Sequence, residues 1–86
     1  MPTDAENITA ALAGVQGTRR SFAEQVLECF PPQQRLAVAL VLASAHRADV
    51  FLEATQLLKP VVESSDDQLL RGLRRICGQL NIQLND

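Results

Sequence analysis

The sequence predicts an all-α fold, a small four- to five-helix bundle built round an apolar central helix or helical hairpin. Three observations carry this. From Leu36 to Ala43 eight apolar residues stand in a row, and no other part of the chain is apolar on every side. A helix that is apolar all round must be covered all round, so the other segments pack against this one. Hydrophobic residues make up 47% of the chain, yet the only aromatics are three Phe. The core is therefore Leu, Val, Ile and Ala, of which Ala and Leu are among the best helix formers. Finally, helix-start and helix-stop residues punctuate the chain at the spacing of short helices.

The 86 residues are enough for one domain, residues 1–86, and too few for two. A domain of this size buries roughly 60–65% of its unfolded surface, so its stability is modest. The net charge of −2 and pI near 5.2 give no general attraction to nucleic acid or to anionic membrane. Two cysteines do not form a disulfide framework. Cys29 lies among Val26, Leu27 and Phe30, and Cys77 beside Ile76 and Leu80. Both read as buried free thiols in a reducing cytosol, with a single bridge as the alternative. The polar start MPTDAENIT has no basic n-region. The longest apolar run is far short of the ~20 residues that span a membrane. The expectation is a soluble, cytoplasmic protein.

The first helix is expected from Thr3, where Thr3-x-x-Glu6 has the capping-box form and Asp4 and Glu6 suit the positive end of the helix dipole. Ile8, Ala11, Leu12 and Val15 share a face, and Gly14 and Gly17 end it. The stripe is thin, so residues 1–20 read as a docked helix or a mobile arm. Gly17 to Arg20 is expected as a loop. Ser21-x-x-Glu24 forms a second capping box, opening a helix with Phe22, Val26, Leu27 and Phe30 on one face. Pro31 ends it, because a residue before proline avoids the helical region. Pro32 then suits the first turn of the next helix.

From Pro32 to Leu58 there are two readings. One is a single helix about 40 Å long at 1.5 Å per residue. It would overreach a monomer whose radius of gyration should be about 12 Å, and a second copy would cover the overhang. The other breaks near Ser44-Ala45-His46-Arg47, with Asp49 capping a new helix that carries Phe51, Leu52, Leu57 and Leu58. That gives a hairpin and a compact monomer. The lack of Gly or Pro at the break favours the long helix and a dimer.

Lys59-Pro60 closes this unit, with the basic residue where the dipole prefers it. Ser64 or Ser65 caps the last helix, and Asp66 and Asp67 sit in its first turn. Leu69, Leu73, Ile76 and Leu80 follow at helical spacing, with Leu70 and Cys77 widening the stripe. Residues 81–86 read as a frayed tail, although Ile82 and Leu84 could dock. The segment Ala48 to Pro60 resembles the second helix of a tetratricopeptide repeat: Ala48, Leu52 and Pro60 fall where that family has a small residue, an aromatic and the closing proline. The first-helix signature is absent, because Arg35 and Leu36 stand where Leu-Gly would be expected.

No constellation for catalysis stands out. The single histidine, His46, has no flanking motif and reads as a surface or hinge residue. One histidine and two distant cysteines do not make a metal site. Gly14-Val15-Gln16-Gly17 lacks the further glycine and lysine of a phosphate loop, and Asp66-Asp67 reads as helix-capping acid. No cofactor is expected. Arg71, Arg74 and Arg75 lie on one flank of the last helix, where Asp67 could pair with Arg71 at i, i+4. Arg19, Arg20 and Arg47 could join them in space. The apolar central stretch marks a partner site where the other helices leave it uncovered.

By elimination the expected function is non-enzymatic protein binding by a small cytosolic adaptor, chaperone or regulator. Its partner would be a second copy or a heterologous helix. Leu40, Phe51, Leu69, Leu73 and Ile76 are the candidate contacts, with Arg71, Arg74 and Arg75 at the rim. The rivals are a small nucleic-acid-binding regulator using the arginine flank and a structural subunit of a larger assembly. The acidic total charge and the lack of stacking aromatics weaken the nucleic-acid reading.

Overall fold

The fold is given by a computed structural model that describes residues 4–45 and 47–83. Thr3, His46 and the end of the tail, Leu84 included, lie outside the described residues. Among the described residues five α-helices follow in order: α1 (Asp4–Ala11), α2 (Thr18–Glu28), α3 (Pro32–Ser44), α4 (Ala48–Leu58) and α5 (Asp66–Leu80). A 3-10 turn, Lys59–Val61, joins α4 to α5. The all-α class expected from the sequence is the class observed.

The central helix α3 packs against α1, α2, α4 and α5. Pro31 is extended and Pro32 is the first helical residue, as the proline pair requires. Val38, Ala39, Val41 and Leu42 are fully buried, while Leu40 is 43% exposed. The neighbours therefore cover α3 on all but one strip.

The long-helix reading is not what forms. α3 stops at Ser44, Ala45 turns out of the helix (φ −84°, ψ 86°), and Arg47 is extended at the start of α4. An unbroken helix of about 40 Å would exceed the molecule's longest dimension, 32 Å. It would also carry Phe51, Ala54 and Leu58 away from the core, in which all three are buried. The gain from burying them outweighs the few backbone bonds given up at the break. Local contacts hold the corner: Ala45 N–H donates to the Leu42 carbonyl (3.2 Å) and Phe51 N–H to the Arg47 carbonyl (2.9 Å). Arg47 pairs with Asp49 at 2.8 Å. Asp49 sits in the first turn of α4 and not at its cap. The Val50 backbone N–H first, and then Arg47, hold its carboxyl below the ordinary value. The radius of gyration, 11.8 Å, is that of a single closed globule, for which about 12 Å is expected.

The start of α2 also differs. Gly17 adopts φ 67°, ψ −140°, a region that side chains disfavour, and the helix begins at Thr18, three residues before Ser21. Of the expected loop Gly17 to Arg20 only Gly17 lies outside the helix, the connection running instead over residues 12–17, and Ser21 donates its N–H to the Gly17 carbonyl from within the helix. Glu24 accepts instead from Arg20 Nε (3.0 Å). Arg20 also donates to the Leu12 carbonyl (2.9 Å), fastening α2 to the turn after α1. Leu12 and Val15 are buried, so α1 is docked on α3. Arg35, on α3, donates to the Leu27 and Phe30 carbonyls (3.0 and 2.9 Å) and satisfies the open end of α2.

Ser65 caps α5 in a reciprocal box with Gln68. Leu69, Leu73, Ile76 and Cys77 face the core. Asn81 closes the helix in the left-handed conformation, and Ile82 N–H returns to the Cys77 carbonyl (2.8 Å), which buries Ile82. Two buried residues are polar, Gln34 and Thr55. Gln34 is 3% exposed, and its Nε2 donates to the Ser64 carbonyl (3.0 Å) and to Asp66 Oδ1 (2.7 Å). It thereby ties the start of α3 to the start of α5.

Candidate functional site

Helices α2 and α4 lie side by side, with Phe22 and Phe51 in an edge-to-face contact at 6.3 Å. Along this seam a groove of about 190 Å³ opens to the surface. Phe22, Val26 and Phe30 line one wall, Thr55 and Leu58 the other, and Val62 the end. The α2 wall follows from spacing, since Phe22 and Val26 lie four residues apart on one face. Thr55 is buried, but its hydroxyl donates to the Leu52 carbonyl of its own helix (2.7 Å). It thus offers the groove a methyl more than a donor. Gln25, Cys29 and Lys59 are the exposed polar members of the lining. Leu52, 53% exposed, is three residues from Thr55 and extends the apolar rim.

Cys29 is exposed and not buried as its apolar neighbours suggest. Its thiol hydrogen-bonds the Gln25 carbonyl within α2 (3.7 Å). Pro31 ends the helix just beyond it, so nothing continues over that face. Cys77 is buried, and burial pushes its thiol pKa up. Both cysteines are free.

The candidate contacts read from the sequence separate in the structure. Arg71, Arg74 and Arg75 are brought together on the outer face of α5, and Leu40 is exposed on α3. Phe51, Leu69, Leu73 and Ile76 are buried in the core of the chain, where they position the helices. Leu70 does not widen the core stripe; it is 51% exposed, four residues before Arg74. Among the described residues the Asp67–Arg71 pair does not form, and the three α5 arginines have no ion pair. Arg20 and Arg47 are held by Glu24 and Asp49 and do not extend the α5 set. The groove residues themselves were legible only as a core face of α2. No sequence signal tells that α4 leaves that face partly open.

Among the described residues no group of three His, Cys, Asp or Glu could hold a metal ion. Among the same residues no helix is long and apolar enough to cross a membrane. No protein-family model, curated protein or solved structure matches this chain.

Proposed function

We propose that this chain is a non-enzymatic protein-interaction module, a small cytoplasmic adaptor, chaperone or regulator, which takes an apolar side chain of a partner helix into the α2–α4 groove. The open apolar groove is the observation that carries the reading. Its lining includes no carboxylate or imidazole, so what it offers is burial. At about 190 Å³ it suits one side chain of leucine or phenylalanine size, since an apolar void of about 150 Å³ admits a benzene-sized body. One such anchor contributes about 1.5–3 kcal/mol, too little for stable binding alone. The contact therefore extends over Leu52 and the rim, as when an amphipathic helix lies in a groove. The two unpaired thiols fit a reducing compartment.

The test uses a designed amphipathic peptide with a single leucine stripe. Its binding should slow alkylation of Cys29 by a maleimide and shift the NMR signals of Val26 and Val62. Val62→Asp should weaken binding about 10- to 150-fold, the loss of one anchor. Unchanged Cys29 reactivity under saturating peptide would remove the groove from consideration.

A further inference from the structure

We propose that the outer face of α5 is a second docking surface, for a short acidic helical segment of a partner protein. It is independent of the α2–α4 groove, and either reading can fail alone. Arg71, Arg74 and Arg75 carry it. At i, i+3 and i+4 the three fall on one face of the helix. All are exposed, and none has an ion pair among the described residues. Leu70, half exposed, stands one turn before Arg74 at the edge of the same face. The opposite side of α5 holds Leu69, Leu73 and Ile76 in the core, so the trio faces outward.

Gly78 adds a second observation. It lies three residues after Arg75 and four after Arg74, hence on the arginine face, and it is exposed. A Cβ there would meet nothing within 4 Å, and its backbone is helical and not left-handed. Neither packing nor backbone geometry within the chain calls for a glycine, which costs the helix about 1 kcal/mol relative to alanine. What the bare backbone provides is room for another backbone to come close, within reach of the guanidiniums.

Three guanidiniums call for anions, and their surroundings select the kind. Asp66 and Asp67 occupy the first turn of the same helix, with Asp67 one turn before Arg71. The basic strip from Arg71 to Gly78 is therefore bounded by acid and about 10 Å long at 1.5 Å per residue. The chain has ten acidic residues against eight basic ones, and three of the eight stand in this strip, so the rest of the chain carries a net negative charge. An extended polyanion, such as a DNA duplex or an anionic bilayer, would run off the strip onto that charge. One or two helical turns carrying carboxylates would not, since repulsion from more distant acids is screened beyond about 10 Å at 0.1 M salt. Leu70 points the same way. A phosphate backbone has no use for an exposed aliphatic side chain. A helical segment can set an apolar side chain against it while carboxylates take the guanidiniums fork to fork.

The probe is a designed helical peptide with glutamates three and four residues apart and a leucine one turn from them, titrated into the full chain at low salt and followed by NMR. Signals of Leu70, Arg71, Arg74, Arg75 and Gly78 should move together, while those of the groove residues Val26 and Val62 stay. Affinity should fall with added salt. Arg71→Glu with Arg75→Glu should weaken binding about 10- to 100-fold, because two attractions become repulsions. A peptide with lysines in place of the glutamates should bind that variant and not the wild type. Gly78→Gln keeps the charge and favours the helix, yet should weaken binding by closing the approach. All these positions are exposed, and circular dichroism checks that each variant folds.

A peptide of the same composition with its glutamates spread round the helix should bind more weakly; equal binding would reduce the face to diffuse charge and overturn the proposal. Affinity indifferent to the paired reversal would overturn it as well. Tighter binding of a short DNA duplex or of phosphatidylserine vesicles through the same arginines would assign the face to phosphate instead. Shifts confined to Val26 and Val62 would mean that the peptide enters the groove, so that the groove reading stands and this one falls. A complete lack of shifts at low salt also sinks this proposal, and leaves the groove to its own leucine-stripe test.

Discussion

At the scale of single residues, Gln34 carries an unusual burden for a polar side chain in a small aliphatic core. Its two amide hydrogens serve the Ser64 carbonyl and Asp66 Oδ1, both acceptors, which fixes the orientation of the amide. Gln34→Ala should cost about 1–3 kcal/mol, because it removes two part-buried hydrogen bonds and leaves a void where the buried side chain stood. Gln34→Glu should cost about 3 kcal/mol or more at neutral pH, since its carboxylate would face a carbonyl and a second carboxylate. Burial and Asp66 raise the folded-state pKa of that new carboxyl, so the variant's deficit grows as pH rises through the ordinary carboxylate range and shrinks as pH falls. Denaturant midpoints at acid and neutral pH measure this, and an equal deficit at both would refute the assignment. The cysteines make a second residue-scale contrast. Cys29 is exposed and Cys77 buried, so a thiol reagent should titrate one equivalent in the native protein and two in denaturant. Burial raises the Cys77 pKa. Its contribution to stability is thus complete below the ordinary thiol value and is lost as pH climbs through the raised one. Two native equivalents would mean that α5 does not hold Cys77 against the core.

At the scale of elements, the glycines of α5 separate packing from propensity. A Cβ on Gly72 would come within 2.8 Å of Val61 Cγ1, whereas one on Gly78 would meet nothing within 4 Å. Gly72→Ala should therefore destabilise by about 1–3 kcal/mol through overpacking against the 3-10 turn. Gly78→Ala should stabilise by up to about 1 kcal/mol through helix propensity. Thermal midpoints moving in the same direction would show that the turn does not rest on α5 as described. The same elements show what sequence can tell. The cap at Ser65, the proline stop after Phe30 and the core line Leu69, Leu73 and Ile76 were legible, because each depends on chemistry within a few residues. The corner at Ala45–Arg47 was not. It contains no glycine or proline, and only the burial of Phe51, Ala54 and Leu58 against distant helices accounts for it. The early start of α2 was hidden for a related reason: Ser21-x-x-Glu24 is a valid cap, but Gly17 offers a cap four residues sooner and Arg20 claims Glu24. In the candidate site the arginine trio was legible from spacing. The groove was not, because a periodic face gives its own direction and not how completely a neighbour covers it. Leu70 and Leu73 look alike in the sequence; one is half exposed and the other buried.

At the scale of the whole molecule, one core is shared by every helix. α3 touches the other four, and the buried set draws on α2, α3, α4 and α5 together with Leu12 and Val15 beside α1. No pair of helices encloses a core of its own, so the chain should unfold as one cooperative unit. Removing α5 provides the sharpest test. It withdraws Leu69, Leu73, Ile76 and Cys77 from the core and strips Gln34 of both its partners. At about 1.5–3 kcal/mol for each large buried aliphatic side chain, the three aliphatics alone account for about 4.5–9 kcal/mol. A domain of 86 residues has a total stability of only about 4–13 kcal/mol. A chain ending at Glu63 should accordingly show no cooperative melt and little helical signal, since isolated helices of 8–13 residues are marginal in water. Adding a peptide of residues 64–86 should restore both, because the lost core is regained by mass action. A truncated chain that melts cooperatively by itself would place the folding core in α1–α4 and leave α5 as an appended element.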